Sequence, residues 1–217
     1  MQQMRPAKIT KAFWAGFERL EKASLKLASQ GWALQMSLTP AEIYKILTAR
    51  SPKAVDAVFV NLYESNNGSF FNRVAKSLAS RDVIAKWRPL LEQVFSAYGR
   101  RDFLITIPAL LIVCEGVLAS DRGNETNVKK VVADSVQAQK HRGPDSLTIL
   151  VWRTVERFIN ELFKNSDFTG ARPNMLNRHW ILHGRDSSTW TQADCLRLIQ
   201  VVDTLSYLRE RSNKRRS

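Results

Sequence analysis

Cysteine, histidine and acidic residues are the scarce components of this chain of 217 residues, numbering two, three and 20. Both cysteines, Cys114 and Cys195, fall in apolar stretches of helical pattern. That placement reads as two buried thiols rather than a disulfide, in keeping with a reducing cytoplasm. There is no CxxC, no HExxH and no cluster of carboxylates, so neither a metal nor another cofactor is expected. No window supplies the roughly 18 uninterrupted apolar residues of a membrane span. The longest apolar run, Phe103 to Ala119, is broken by Thr106, Pro108 and Glu115 and reads as a buried core helix. The first residues, Met1 to Pro6, lack the apolar segment of a signal peptide. Strand-type alternation and internal repeats are also missing.

What the chain has in excess is positive charge: 33 Lys and Arg give a formal net charge of +13. Part of it ends the chain at Arg209, Arg211, Lys214, Arg215 and Arg216, which reads as a solvated tail. The rest is spread, with Lys8, Lys11, Lys22, Lys129, Lys130, Lys140 and Arg153 among its carriers. A basic chain of this size favours polyanions, because phosphate contacts release condensed cations. RNA is preferred over a membrane surface, since no long amphipathic helix joins a basic face to bulky apolar anchors. A hydrophobic content of 44% is ordinary for a globular chain. It suffices for one substantial core, or a core plus a small helical lobe.

Helical periodicity and capping signals recur from Ile9 to Leu208, which predicts an all-α chain. The first helix covers residues 9–30 and stops at Gly31. Thr39-Pro40-Ala41-Glu42 combines an N-cap, a proline at the first helical position and an acidic first turn, so a helix runs to about residue 49. Ser51-Pro52 opens another, and Asn66-Asn67-Gly68-Ser69 is a turn. Helices follow over residues 70–79 and 83–98, with Pro89 kinking or dividing the second. Residues 121–146 form a polar insert, with a short exposed helix over 128–139 and the least order in the chain. Asp145 is placed to cap a helix over 147–163, and a loop over 166–175 follows it. Thr191 to Asp194 resembles a capping box and opens a last helix through Leu208. The organisation read from this is an N-terminal helical lobe over 1–80, able to pack as one unit with the rest, a helical domain over 81–209 and a basic tail over 210–217. The six tryptophans lie mostly in helical patterns, which fits core packing better than base stacking.

The loop delivers the segment richest in chemistry. Asn177-Arg178-His179-Trp180-Ile181-Leu182-His183-Gly184, followed by Arg185-Asp186, holds two of the three histidines and brackets them with arginines. Arg178 and His183 stand five positions apart, a rotation of about 140° on a helix. Their side chains converge on one small anion only near a helix end or across a subunit interface. A planar guanidinium fork and an imidazole that titrates near neutrality are the parts needed to cleave a phosphodiester without a metal. The Trp-Ile-Leu insert marks the segment as partly buried, so its polar neighbours need partners. Glu115 is the one formal charge inside the apolar run, and a buried carboxylate needs a cation. Asn177 could cap the motif helix or bind phosphate. His179 could supply a second imidazole or orient Arg178. Arg185 could pair with Asp186 or bind substrate, and the substrate reading is preferred. His141, in the polar insert, reads as a solvated loop residue.

Arg178-x-x-x-x-His183, with the polar His179 after the arginine, resembles the signature of the HEPN superfamily. The wider phrase from Leu176 to Arg185, together with Tyr98-Gly99-Arg100-Arg101-Asp102-Phe103, Ile107 to Leu111 and Glu115-Gly116, is similar to a bacterial group of HEPN-like proteins. The likeness covers roughly residues 83–120 and 148–209. It implies a small all-α bundle, and in many members a metal-independent ribonuclease of toxin–antitoxin or phage-defence systems. It implies catalytic roles for Arg178 and His183, support from Asn177, His179 and Glu115, and Arg178 as the partner of Glu115. Family members commonly carry Asn or Asp where this chain has His179. A homodimer that pairs two motifs, and an antitoxin or defence-system partner, are further implications. A non-catalytic RNA-binding or dimerisation module is the alternative.

Overall fold

In the computed structural model, residues 9–120, 127–141, 146–186 and 189–214 are described. Asp145, the side chain of His141, the two ends of the polar insert, and Arg215 and Arg216 lie outside the described residues. Among the described residues there is no strand, and the chain is all-α. Its helices are α1 (Ile9–Ser29), α2 (Pro40–Leu47), α3 (Pro52–Ala79), a 3-10 helix (Asp82–Trp87), α4 (Arg88–Gly99), α5 (Phe103–Ala119), α6 (Val128–His141), α7 (Ser146–Leu162), α8 (Arg178–Leu182) and α9 (Gln192–Lys214). None is long and apolar enough to cross a membrane.

The capping chemistry sets these boundaries. Thr39 and Glu42 form a reciprocal capping box at α2, and the Ser51 hydroxyl accepts the Ala54 amide at the start of α3. Asn66, Asn67 and Gly68 all adopt left-handed backbone and break α3 into two helical stretches, the expected turn. Pro89 divides rather than kinks: the 3-10 helix ends at Trp87 and α4 begins with Pro89 in its first turn.

Packing centres on α5, which lies against α9 and α4, while α3 lies on α9 and α1 on α7. Helices from the first 80 residues therefore share one hydrophobic cluster with the last 70, through Trp32, Phe59, Leu78, Trp152, Leu196 and Leu205. Gly116 is required by close approach, because a Cβ there would stand 2.1 Å from the Trp87 ring. A buried polar network crosses the same interface. Tyr63 donates to Gln35, Gln35 donates to Asp203, and Arg81 pairs with Asp203 at 2.7 Å. Burial pushes the Asp203 carboxyl up, and the Arg81 and Gln35 contacts oppose that rise. Cys114 and Cys195 are buried free thiols, as their apolar setting suggested.

Three expectations need correction. Helix α6 is not an exposed appendage: Val128, Val131, Val132 and Val136 are buried, and the helix packs on α7. Helix α5 is not buried all round, since Leu104, Ile105 and Ile112 are 50%, 67% and 46% exposed. The last helix continues past Leu208 to Lys214, and Arg209 is buried over the Trp152 ring rather than solvated.

Candidate active site

The site is built on the shortest helix. The loop after α7 returns to the bundle at Leu176 and Asn177, both buried. Asn177 takes the extended backbone of an N-cap; its Oδ1 accepts the Trp180 amide at 3.1 Å, and its Nδ2 donates to the Lys164 carbonyl at 2.8 Å. The residue therefore caps α8 and ties it to the end of α7, the structural one of its two readings. Trp180 and Ile181 fill the core side of the turn. Gly184 stops it with a φ of +65°, a left-handed conformation that lets the Arg185 amide reach back to the Trp180 carbonyl at 2.8 Å.

Asp186 completes the brace, though not with Arg185. It pairs with Arg172 in the preceding loop and accepts the Trp190 indole N–H at 2.9 Å. Arg185 instead is an exposed residue whose guanidinium lies over the Phe168 ring, 5.3 Å from its centroid.

These anchors leave the motif side chains on the outer surface of the turn. Arg178 meets Glu115 on α5, with Nε 2.7 Å from Oε1 and Nη2 donating to Oε2 at 3.3 Å. The guanidinium also lies over Phe163, 5.7 Å from the ring centroid. The cation that the Glu115 charge required is thus supplied from α8. His179 stacks flat on Phe168, with centroids 4.5 Å apart and planes 7° from parallel. It meets the exposed His183 edge-on at 4.6 Å. Two imidazoles, a pinned guanidinium and a stacked arginine thus occupy one capped turn.

A cleft of about 410 Å³ opens beside this turn. It is lined by Arg178 and His179 of the turn, by Glu115, Phe163 and Asn165, and by Asn127, Val128 and Lys129 at the head of α6. His183 does not line the cleft and joins it only through His179. No motif marks Phe163, Asn165, Phe168 or Asn127 for the site, and Lys129 reads in the sequence only as dispersed charge. Phe168 carried a visible signal, as the lone aromatic in the polar loop over 166–175. Lys129 carried none, because nothing local says which face of the insert meets the motif.

Among the described residues no group of three or more His, Cys, Asp or Glu side chains is placed to hold a metal ion. Comparison with known proteins finds no family model, no curated relative and no solved structure that matches the chain.

Proposed function

We propose that the chain is an endoribonuclease that cleaves RNA without a metal, the activity that the HEPN-like phrase around Arg178 and His183 implies. The observation that carries this reading is the grouping of Arg178, His179 and His183 on one capped turn, with the guanidinium held by Glu115. In the reaction the ribose 2′-oxygen attacks the adjacent phosphorus, the 2′-O–P bond forms and the P–O5′ bond breaks. The products are a 2′,3′-cyclic phosphate and a 5′-hydroxyl. One proton leaves the 2′-hydroxyl and one joins the departing oxygen. His183, exposed at the end of the turn, exchanges a proton with one of these oxygens. Arg178 stabilises the charge that develops on the phosphoryl oxygens.

The proposal extends to a two-fold homodimer in which a second motif supplies the other proton transfer. It also extends to a toxin or phage-defence role in the cytoplasm, with an antitoxin or defence-system partner as its restraint. Incubation with total RNA in EDTA, followed by mapping of the cut ends, tests the activity. Cyclic phosphate ends lost in His183→Ala support it, and intact RNA overturns it. Light scattering that reports twice the 24.8 kDa chain mass supports the dimer. A monomer that cleaves overturns the composite site.

One observation favours a second reading, a non-catalytic RNA-binding or dimerisation module. Glu115 already occupies one edge of the Arg178 guanidinium, as a purely structural ion pair would. RNA binding that survives while no RNA is cut would select that reading.

A further inference from the structure

Helix α6 brings a second cation to the cleft. Lys129 stands in its first turn, partly exposed, and lines the same cleft as Arg178 and His179. Two amides of that turn are already occupied, because Asn127 Oδ1 accepts the N–H groups of Lys129 and Lys130 at 3.1 and 3.3 Å. The charged group that α6 offers an anion here is the Lys129 ammonium. Its base is rigid: Val128, Val131 and Val132 beside it are buried against the bundle. The cleft carries two cations, Lys129 and Arg178, against the single carboxylate of Glu115, and its volume of about 410 Å³ falls in the usual small-ligand range of about 300–1,000 Å³. That is room for one nucleotide unit.

We infer that Lys129 binds the phosphate next to the scissile one, so that the cleft holds a single-stranded RNA backbone by two successive phosphates, one at Arg178 and one at Lys129. The inference rests on the nuclease reading for the identity of the scissile phosphate. An ammonium suits this role, since a point charge on a flexible stem follows a phosphate without imposing a planar geometry. The Arg178 fork, by contrast, is fixed by Glu115 and Phe163. Asn165 also lines the cleft, and its carboxamide has the donors and acceptor that a sugar and base can use. The head of α6, by this account, is part of the substrate site.

Substrate length separates this role from a general one. A dinucleotide with one phosphodiester reaches Arg178 but has no second phosphate for Lys129, whereas a trinucleotide has both. Wild type and Lys129→Ala should cleave the dinucleotide alike. On the trinucleotide Lys129→Ala should lose about fivefold in kcat/KM, the scale of one partly exposed ion contact, with kcat at saturation retained. Lys129→Arg should recover most of the loss. In a His183→Ala background, binding of a short labelled single-stranded RNA should show a log–log salt slope shallower by about 0.7 when Lys129 is also replaced by Ala. Lys140→Ala, at the far end of α6, should leave both readouts unchanged, and equal melting temperatures exclude unfolding. Equal impairment on both substrates, or an unchanged salt slope, overturns the inference. If wild type cleaves neither substrate, the nuclease reading fails, and the salt slope alone then decides the Lys129 contact.

Discussion

Arg178 reaches from the first turn of α8 to Glu115 on α5, Nε to Oε1 at 2.7 Å, across 63 positions of sequence. Both side chains are about one-third exposed, 34% and 31%. An ion pair so open to solvent contributes at most about 1 kcal/mol to stability. Its larger effect is geometric. The carboxylate holds one edge of the guanidinium and Phe163 lies under its plane, so the group that would meet a phosphate has few rotamers left to lose.

Glu115→Gln separates the two effects. The melting temperature should fall by no more than about 2–4 °C, the equivalent of about 1 kcal/mol in a chain of this size. EDTA-resistant RNA cleavage should fall by more than tenfold, because the fork is no longer pinned. Calorimetry and initial rates on the same preparation check both numbers. Unchanged cleavage would reduce Glu115 to charge neutralisation.

His183→Ala and Arg178→Ala should each lower cleavage by about a hundredfold or more, through lost proton transfer and lost charge stabilisation. His183 is exposed, so its removal should leave the far-ultraviolet circular dichroism unchanged. His179→Ala should cost less than either. Arg178→Lys should retain RNA binding better than turnover, since a point charge keeps the sign and loses the planar fork.

Asn177→Ala should act on stability first. It removes an N-cap, worth about 1 kcal/mol, and leaves the Lys164 carbonyl without its amide donor, worth about 1–3 kcal/mol more if that carbonyl stays dry. Asn177→Ser keeps a capping hydroxyl and loses the amide donor, so its melting temperature should fall between wild type and Asn177→Ala. Equal loss in both variants would assign the whole effect to the Lys164 contact.

The two thiols make a prediction in alkali. Burial pushes Cys114 and Cys195 up from 9.0 to about 12, so in the folded chain they stay neutral where an unfolded chain ionises. A raised folded-state value gives stability that is complete below about pH 9 and lost as the pH climbs towards 12. Native protein at pH 8 should resist thiol reagents at both sites and react at two sites in denaturant. Chemical denaturation above pH 9 should show a steeper stability loss in wild type than in a Cys114→Ala, Cys195→Ala double variant.

Much of the local architecture was legible in the residues themselves. Thr39 with Glu42, Ser51 before Pro52 and Asn177 before Arg178 are caps whose hydrogen bonds span three positions, so adjacent sequence contains both partners. The left-handed run at Asn66, Asn67 and Gly68 follows from the residue types alone. The need of Glu115 for a cation followed from a carboxylate set among apolar neighbours.

Tertiary structure decided which surfaces meet. The valines of α6 lie on one helical stripe, but Lys129 and Lys130 interleave them and mask its apolar character, so burial against α7 appears only once the helices are packed. Phe168 under His179, Asp186 with Arg172 rather than Arg185, and Lys129 in one cleft with Arg178 all depend on where a loop or helix lands. The same holds for Gln35 with Asp203, 168 positions apart. Periodicity and capping are set by neighbours within one helical turn, whereas these pairings are chosen by the burial of whole faces, an energy that no single segment carries.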